Sequence, residues 1–180
     1  MLADVLFCSM ILEDKHFIKY ISNEQIQSAI LKLGTEISDM YAAKNPLCIV
    51  VLQGAFMFAA DLVKHFQYPV EIVFIKIKSY TGTQSGEIIH NENLPDVTNR
   101  NVIIIEDIID TGNTLQYLMK NIKQQSPASV FTIALLQKQI EKPISADRVC
   151  FKIADTFVVG YGLDYNEIGR NLKDIWQLAE

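Results

Sequence analysis

The stretch Val102-Ile103-Ile104-Ile105-Glu106-Asp107-Ile108-Ile109-Asp110-Thr111-Gly112, VIIIEDIIDTG, decides how the rest of the chain is read. Four β-branched residues run without a break into two adjacent acids. Two more isoleucines follow, then a third acid and Thr-Gly. The apolar run suits a strand buried on both faces. Carboxylates are costly in such a place unless they are paired, hydrogen-bonded or bound to a metal. The acids therefore leave the core abruptly, or they have a partner that the chain does not supply. The pattern predicts a strand over 102–105 with Glu106 and Asp107 at its carboxyl end. A turn over Asp110-Thr111-Gly112-Asn113-Thr114 then leads into a helix over 115–122.

Working outward, Ser22 and Gln25 fit a capping box. Ile26, Ile30, Leu33, Ile37 and Tyr41 follow at helical spacing, and Asn45-Pro46 ends the helix. Leu47 to Leu52 reads as a short apolar strand stopping at Gln53-Gly54. Residues 56–66 read as a helix with Phe56, Met57, Ala60 and Val63 turned inward. Residues 70–77 read as a strand, and 79–100 as a long polar loop of the kind that compact domains keep for function. Further strands are expected over 130–136, 149–153, 157–159 and 175–178. Strand and helix alternate after the first helix, which predicts an α/β fold with a mostly parallel twisted sheet flanked by helices. No repeat, low-complexity segment or linker interrupts the pattern, so residues 1–180 read as a single domain.

Composition excludes several classes of function. The chain has 180 residues and a net charge of −5, with a pI near 5.2, so no broad basic face for nucleic acid is expected. Cys8, Cys48 and Cys150 are far apart and odd in number, which suggests neither a disulfide framework nor a zinc site. Reduced thiols in a cytoplasmic protein are the plain reading. The opening MLADVLFCSMILEDKHF lacks a basic leading region, and Asp4 interrupts its apolar patch early, which argues against a signal peptide. No apolar run approaches the ~18 residues of a membrane span.

In an open parallel sheet, ligands bind beyond the carboxyl ends of the strands. There Gly112 allows close backbone approach or positive φ. Thr111 and Thr114 offer hydroxyls, and the helix start offers free N–H groups, so the turn can cradle a phosphate. With Glu106 and Asp107 alongside, one loop supplies both a phosphate site and acceptors for vicinal hydroxyls, which is what a sugar phosphate needs. A plainer reading stays open at this point: a strand end followed by an acid-rich, solvated helix N-terminus, which the helix dipole favours anyway.

The same stretch resembles the phosphoribosyl-pyrophosphate signature of the type I phosphoribosyltransferases. Further segments resemble the hypoxanthine-guanine branch of that family. Val51-Leu52-Gln53-Gly54 with Phe56-Met57-Phe58-Ala59-Ala60-Asp61-Leu62 resembles its pyrophosphate loop and helix. Lys78-Ser79-Tyr80 resembles the start of its mobile catalytic loop. Leu135-Leu136-Gln137-Lys138 and Phe157-Val158-Val159-Gly160-Tyr161-Gly162-Leu163-Asp164-Tyr165 resemble its base pocket, and Arg170 follows at the family's interval. The resemblance runs from about Phe17 to the end of the chain.

The resemblance implies a sheet capped by a small hood made from the terminal segments. It implies transfer of a phosphoribosyl group from phosphoribosyl pyrophosphate to a 6-oxopurine, with Mg²⁺ as cofactor. Glu106 and Asp107 would hold the ribose hydroxyls, in some states through the metal, and Asp164 would hold Mg²⁺ through water. Asp110 would lie by purine N7 as general acid or base. Thr111, Gly112, Asn113 and Thr114 would hold the 5′-phosphate, Asn113 through its backbone alone. Lys138 would donate to O6, Phe157 would stack on the base, and Val158 would meet the base edge through its backbone. Leu52, Gln53, Gly54 and Arg170 would bind pyrophosphate, and the loop formed by the first three would contain a non-proline cis bond. Ser79 and Tyr80 would close a lid strapped by Gly82 and Gly86.

The resemblance also implies a homo-oligomer, either dimer or tetramer, formed around residues 70–77 and the pyrophosphate loop. Two departures stand out. Gln53 occupies a position where many relatives carry Lys or Arg, and the first 16 residues have no clear counterpart, so they read as an N-terminal extension. Two alternatives remain on the same fold: a xanthine-preferring enzyme and a non-catalytic regulator.

Overall fold

The computed structural model describes residues 9–79, 88–90 and 94–179. In chain order the elements are β1 (Ser9–Leu12), β2 (Lys15–Ile21), α1 (Asn23–Tyr41), β3 (Leu47–Leu52), α2 (Phe56–Val63), β4 (Glu71–Ser79) and β5 (Ile88–His90). Then come β6 (Asn101–Ile109), α3 (Asn113–Gln124), β7 (Ser129–Lys138), β8 (Arg148–Ile153), β9 (Val158–Val159) and β10 (Ile175–Leu178). The capping box forms as the spacing requires: Gln25 N–H donates to Ser22 Oγ at 3.4 Å, and Ser22 N–H donates to Gln25 Oε1 at 2.9 Å. Ile26, Ile30, Leu33, Ile37 and Tyr41 are the buried stripe of α1.

The main sheet has the order β5-β4-β3-β6-β7-β8. β4, β3, β6, β7 and β8 pair in parallel, and β5 joins the edge antiparallel to β4. Alternate residues of the central strands face opposite layers. Cys48, Val50, Ile103 and Ile105 pack against α1 and α2. Leu47, Ile49, Val51, Val102 and Ile104 pack on the other side, where Leu115, Leu118 and Ile122 of α3 meet them. Ile103, Ile104 and Ile105 are fully buried, each contributing on the order of 2 kcal/mol through apolar area removed from water.

The hood is a second, antiparallel sheet in the order β1-β2-β10-β9, closed over its own small core of Phe17, Val159 and Trp176. Residues 9–16, read from sequence as an extension, supply β1 and the start of β2 to this sheet. Asp174 ties the hood to the body. Its Oδ2 lies 2.9 Å from Lys19 Nζ, and its Oδ1 accepts from the Asn23 N–H at the head of α1 at 2.8 Å.

Two expectations need correction. α2 ends at Val63, and it buries Phe58, Ala59 and Leu62 while Phe56 is exposed. Apolar residues lie all round this helix, so its period could not select a face. β6 also runs past the acids to Ile109 instead of ending at Ile105, with Glu106 still in register with Ala134 of β7. Of the segment read as a long loop, Ile88–His90 form β5. Tyr80, Gly82 and Gly86, assigned to a lid, lie outside the described residues. Ser79 is the last residue of β4.

Candidate active site

The chain runs from β3 outward to β4 on one side, and from β6 through β7 to β8 on the other. The strand order therefore reverses between β3 and β6, where open parallel sheets form their ligand crevice. The register shows how it opens. Pairing between β3 and β6 stops at Val50–Ile105, while β6 stays paired with β7 as far as Ile109–Gln137. Beyond Ile105, β6 has a neighbour on one side only, and Glu106 and Asp107 fall in that gap.

Glu106 is 4 % exposed, and among the described residues its Oε1 has no hydrogen-bond partner. Burial, with the charge of Asp107 next to it, pushes its carboxyl well above the usual range. Asp107 accepts from the Ile108 N–H at 2.9 Å. Burial lifts its pKa to about 6, against the backbone hydrogen bonds and the nearby Arg170, which lower it. Gly54 is required beside it, since a Cβ there would fall 1.5 Å from Asp107 Oδ2. A native structure normally pairs its buried polar atoms. This one holds two acids in an unfavourable state at the mouth of the crevice, which fits partners that arrive with a ligand.

The turn into α3 forms the floor. Gly112 caps the helix at φ +83 with no side-chain cap, and a Cβ on it would lie 3.0 Å from the Ile144 carbonyl oxygen. Thr111 Oγ1 accepts from the Asn113 N–H at 3.5 Å. A cavity of about 60 Å³ lies here, walled by Glu106 and residues 108–115. The first turn of a helix lacks intrahelical partners for its N–H groups, a setting that suits a phosphate.

The next wall holds Asp110, Lys138 and Phe157. Lys138 Nζ lies 3.2 Å from Asp110 Oδ1 and 2.9 Å from Asp155 Oδ1. Burial works against its charge, but the hydrogen bonds to the two aspartates outweigh it and hold its pKa above the ordinary lysine value. Lys142 Nζ donates to the carbonyl oxygens of Ile109 at 3.3 Å, Asp110 at 3.1 Å, and Lys138. It thereby fastens the ends of β6 and β7 together. Phe157 keeps 44 % of its surface exposed. Its ring is backed by Phe17 at 6.3 Å and by Tyr165, edge-on, at 5.9 Å. A supported, exposed aromatic face of this kind can stack on a planar ligand. Val158 is buried in β9.

The opposite wall is the β3–α2 loop and the segment 160–170. The Leu52–Gln53 peptide is cis. Arg170 donates to the Gly162 carbonyl at 3.0 Å and to Gln53 Oε1 at 3.4 Å, and its guanidinium reaches Asp164 at 2.7 Å and Glu167 at 2.9 Å. Gly162, at φ +102, packs so closely that a Cβ would stand 2.0 Å from the Gly54 carbonyl oxygen. Between Gly160 and Gly162, the Tyr161 hydroxyl donates to Asp61 Oδ2 at 2.5 Å, and Gln27 donates to both. This anchors the segment to α1 and α2.

The structure thus brings Gly54 to Asp107, Arg170 to Gln53 and Asp164, Glu106 to the 108–115 turn, and Lys138 to Asp110, while Phe157 and Val158 follow Asp155, the second partner of Lys138. Among the described residues, no three acidic, His or Cys side chains come close enough to hold a metal by themselves. Glu106, Asp107 and Asp164 are therefore not a metal site made of protein alone. Sequence reasoning missed Asp155, Lys142 and the Tyr161 anchor. Nothing local marks them, because each acts on a residue brought near by the sheet. A larger hollow of about 620 Å³ between α1 and β8 includes none of the predicted residues.

Comparison with known proteins agrees with this geometry. Residues 20–166 match the phosphoribosyl transferase domain family. The hypoxanthine-guanine phosphoribosyltransferase of Streptococcus pneumoniae R6 is 42% identical over 165 residues, covering 89% of this chain and 92% of that protein. The Bacillus subtilis protein of the same name is 42% identical over 160 residues, covering 86% and 89%. Among solved structures, the hypoxanthine phosphoribosyltransferase of Staphylococcus aureus superposes with a TM-score of 0.84 at 35% identity, over 89% of this chain and 90% of that one. That of Trypanosoma cruzi superposes at 0.79, also at 35% identity, over 89% and 95%. By this family match and these relatives, the chain belongs to the hypoxanthine-guanine phosphoribosyltransferase branch of the phosphoribosyltransferase family.

Proposed function

We propose that this protein serves purine salvage, moving the 5-phosphoribosyl group of phosphoribosyl pyrophosphate to N9 of hypoxanthine or guanine. The products are the purine nucleotide, IMP or GMP, and pyrophosphate. The observation that carries the choice of base is the Lys138 ammonium, held by Asp110 next to the 111–114 turn and by Asp155 two residues before Phe157. An ammonium has donors only. It can satisfy the O6 of a 6-oxopurine, whereas the 6-amino group of adenine would leave both donors unpaired.

The residues divide the work. The N–H groups and hydroxyls of residues 111–114 hold the 5′-phosphate. Glu106 and Asp107 accept from the ribose 2′- and 3′-hydroxyls, which supplies the partner that Glu106 Oε1 lacks. As the N9–C1′ bond forms, the bond from C1′ to the pyrophosphate oxygen breaks, and positive charge spreads over the ribose ring. Fixed carboxylates below the ring stabilise that charge more than they stabilise the ground state. Asp110 turns from Lys138 to the base and takes up or shares the N7 proton. Phe157 stacks on the base, and the Val158 backbone meets its edge. Arg170 and the 52–54 loop receive the pyrophosphate, and the part assigned to Ser79 and Tyr80, of which Tyr80 lies outside the described residues, is to keep water from the reacting carbon.

The donor set fits Mg²⁺ shared with the donor substrate: the chain offers hard carboxylate oxygens, and substrate oxygens and water would complete the shell. Asp107, Glu106 and, through water, Asp164 are the residues that would hold it. The ion would neutralise the pyrophosphate as it leaves. Further parts of the reading are a single catalytic domain over 1–180, a dimer or tetramer, and a cytoplasmic setting. Among the described residues, no helix is long and apolar enough to cross a membrane.

The test is a spectrophotometric assay with phosphoribosyl pyrophosphate and Mg²⁺, offering hypoxanthine, guanine, xanthine and adenine separately. Turnover of the first two with adenine inert is expected. Faster turnover of xanthine would move the assignment to a xanthine enzyme. No turnover with any base, from folded protein that binds the donor, would favour a regulator on this fold.

A further inference from the structure

Lys138 ends β7, in register with Ile153 at the end of β8. Two residues beyond Ile153, Asp155 reaches back across that pair and places Oδ1 2.9 Å from Lys138 Nζ. Asp155 lies in the tight bend in which Thr156 N–H donates to the Ala154 carbonyl at 2.9 Å. Phe157 and Val158 follow at once. The Asp155–Lys138 contact therefore ties the end of β7 to the segment that carries Phe157. We infer that Asp155 is a positioning residue that aims the Lys138 ammonium at the 6-position of the base. This rests on the function proposed above.

The argument is one of counting donors. The Lys138 side chain is 13% exposed, so most of its stem is fixed and its ammonium has little water to turn to. Of its three N–H donors, one is taken by Asp155 and one by Asp110 at 3.2 Å. Among the described residues the third has no partner, which leaves it for a ligand carbonyl. When Asp110 turns to the base, Lys138 loses one of its two anions. Without Asp155 it would lose both, or keep Asp110 and withhold that carboxylate from the base. Asp155 thus releases Asp110 for its task while the ammonium stays charged and directed.

The competing view is an exposed ion pair of little consequence, since Asp155 and Asp110 are 63% and 53% exposed at their side chains. The two views agree on stability, because the β7–β8 ladder and the buried Ile153 hold this edge together without the pair. They differ on the base.

The experiment compares wild type with Asp155→Asn, Asp155→Glu, Lys138→Gln and the double variant, each assayed with hypoxanthine. Asp155→Asn is expected to raise the KM for hypoxanthine about tenfold, a change of the size that losing one charged partner produces. The KM for the phosphoribosyl donor should stay within about twofold and the melting temperature within about 2 °C. Asp155→Glu should recover part of the loss. In the Lys138→Gln background, Asp155→Asn should cost nothing further. Equal losses with and without Lys138, or a loss confined to kcat or to the donor, would overturn the assignment, as would an unchanged KM for hypoxanthine in Asp155→Asn. Wild-type protein that turns over no 6-oxopurine would overturn the functional reading itself, and this assignment with it.

Discussion

Replacing Asp107 by Asn should make the ligand-free protein more stable while weakening its hold on the phosphoribosyl donor. Burial raises the Asp107 carboxyl from 3.8 to about 6, and a shift of about two units corresponds to about 3 kcal/mol at pH values above both. The sign follows from the direction of the shift. Below the unfolded value both states are protonated and Asp107 costs nothing. As pH rises toward the folded value, the unfolded chain ionises first and stability falls, and above it the full penalty remains. Asparagine keeps the shape and the acceptor for the Ile108 N–H but removes the charge. Its new amide needs a partner beside Gly54, which returns roughly 1 kcal/mol of the gain.

The net expectation is about 1–3 kcal/mol of added stability at pH 8, or roughly 3–10 °C in melting temperature for a chain of this size. The assay is thermal unfolding in EDTA at pH 8 and at pH 4, where the difference should shrink to almost nothing. Adding Mg²⁺ and phosphoribosyl pyrophosphate at pH 8 should then stabilise wild type strongly and the variant little. An Asn variant that melts at or below wild type at pH 8, or one whose advantage persists unchanged at pH 4, would refute the reasoning.

Gly54→Ala should weaken donor binding about tenfold or more, because its Cβ would occupy space 1.5 Å from Asp107 Oδ2 and must displace the carboxylate proposed to hold the ribose; isothermal titration with the donor checks this. Lys142→Met keeps the stem but removes the ammonium that joins the carbonyls of Ile109, Asp110 and Lys138. A fall of about tenfold in kcat with a stability loss of roughly 1–2 kcal/mol is expected, and steady-state kinetics beside urea unfolding would detect either. Gln53→Lys places a second cation beside Arg170, whose guanidinium donates to Gln53 Oε1. A modest change in donor KM is expected, and an unchanged value would remove that side chain from the pyrophosphate site.

Much of this was legible in the chain. The unbroken run Val102–Ile105 required a strand covered on both faces, and it is fully buried. The Ser22–Gln25 box and the stripe from Ile26 to Tyr41 described α1 down to its cap, because capping and period are both local. α2 defeated the same method, since a helix apolar on every side has no period to read. The acids stood out because no neighbour in sequence could account for them, and the family resemblance was needed to assign them a role. Their place within β6, not after it, depended on β7 staying in register past the point where β3 departs.

The sequence by itself determined the central elements of the parallel sheet and the residues with chemistry to offer, since each follows from interactions within a few positions; the hood strands β1 and β2 and the edge strand β5 escaped it. Only the tertiary structure decided which of them meet. The reversal of strand order between β3 and β6 opens the crevice. The β7–β8 register brings Asp155 to Lys138, and Gly162 is pressed onto Gly54 from more than a hundred positions away. Contacts of that range are set by how layers pack, and no local pattern encodes them.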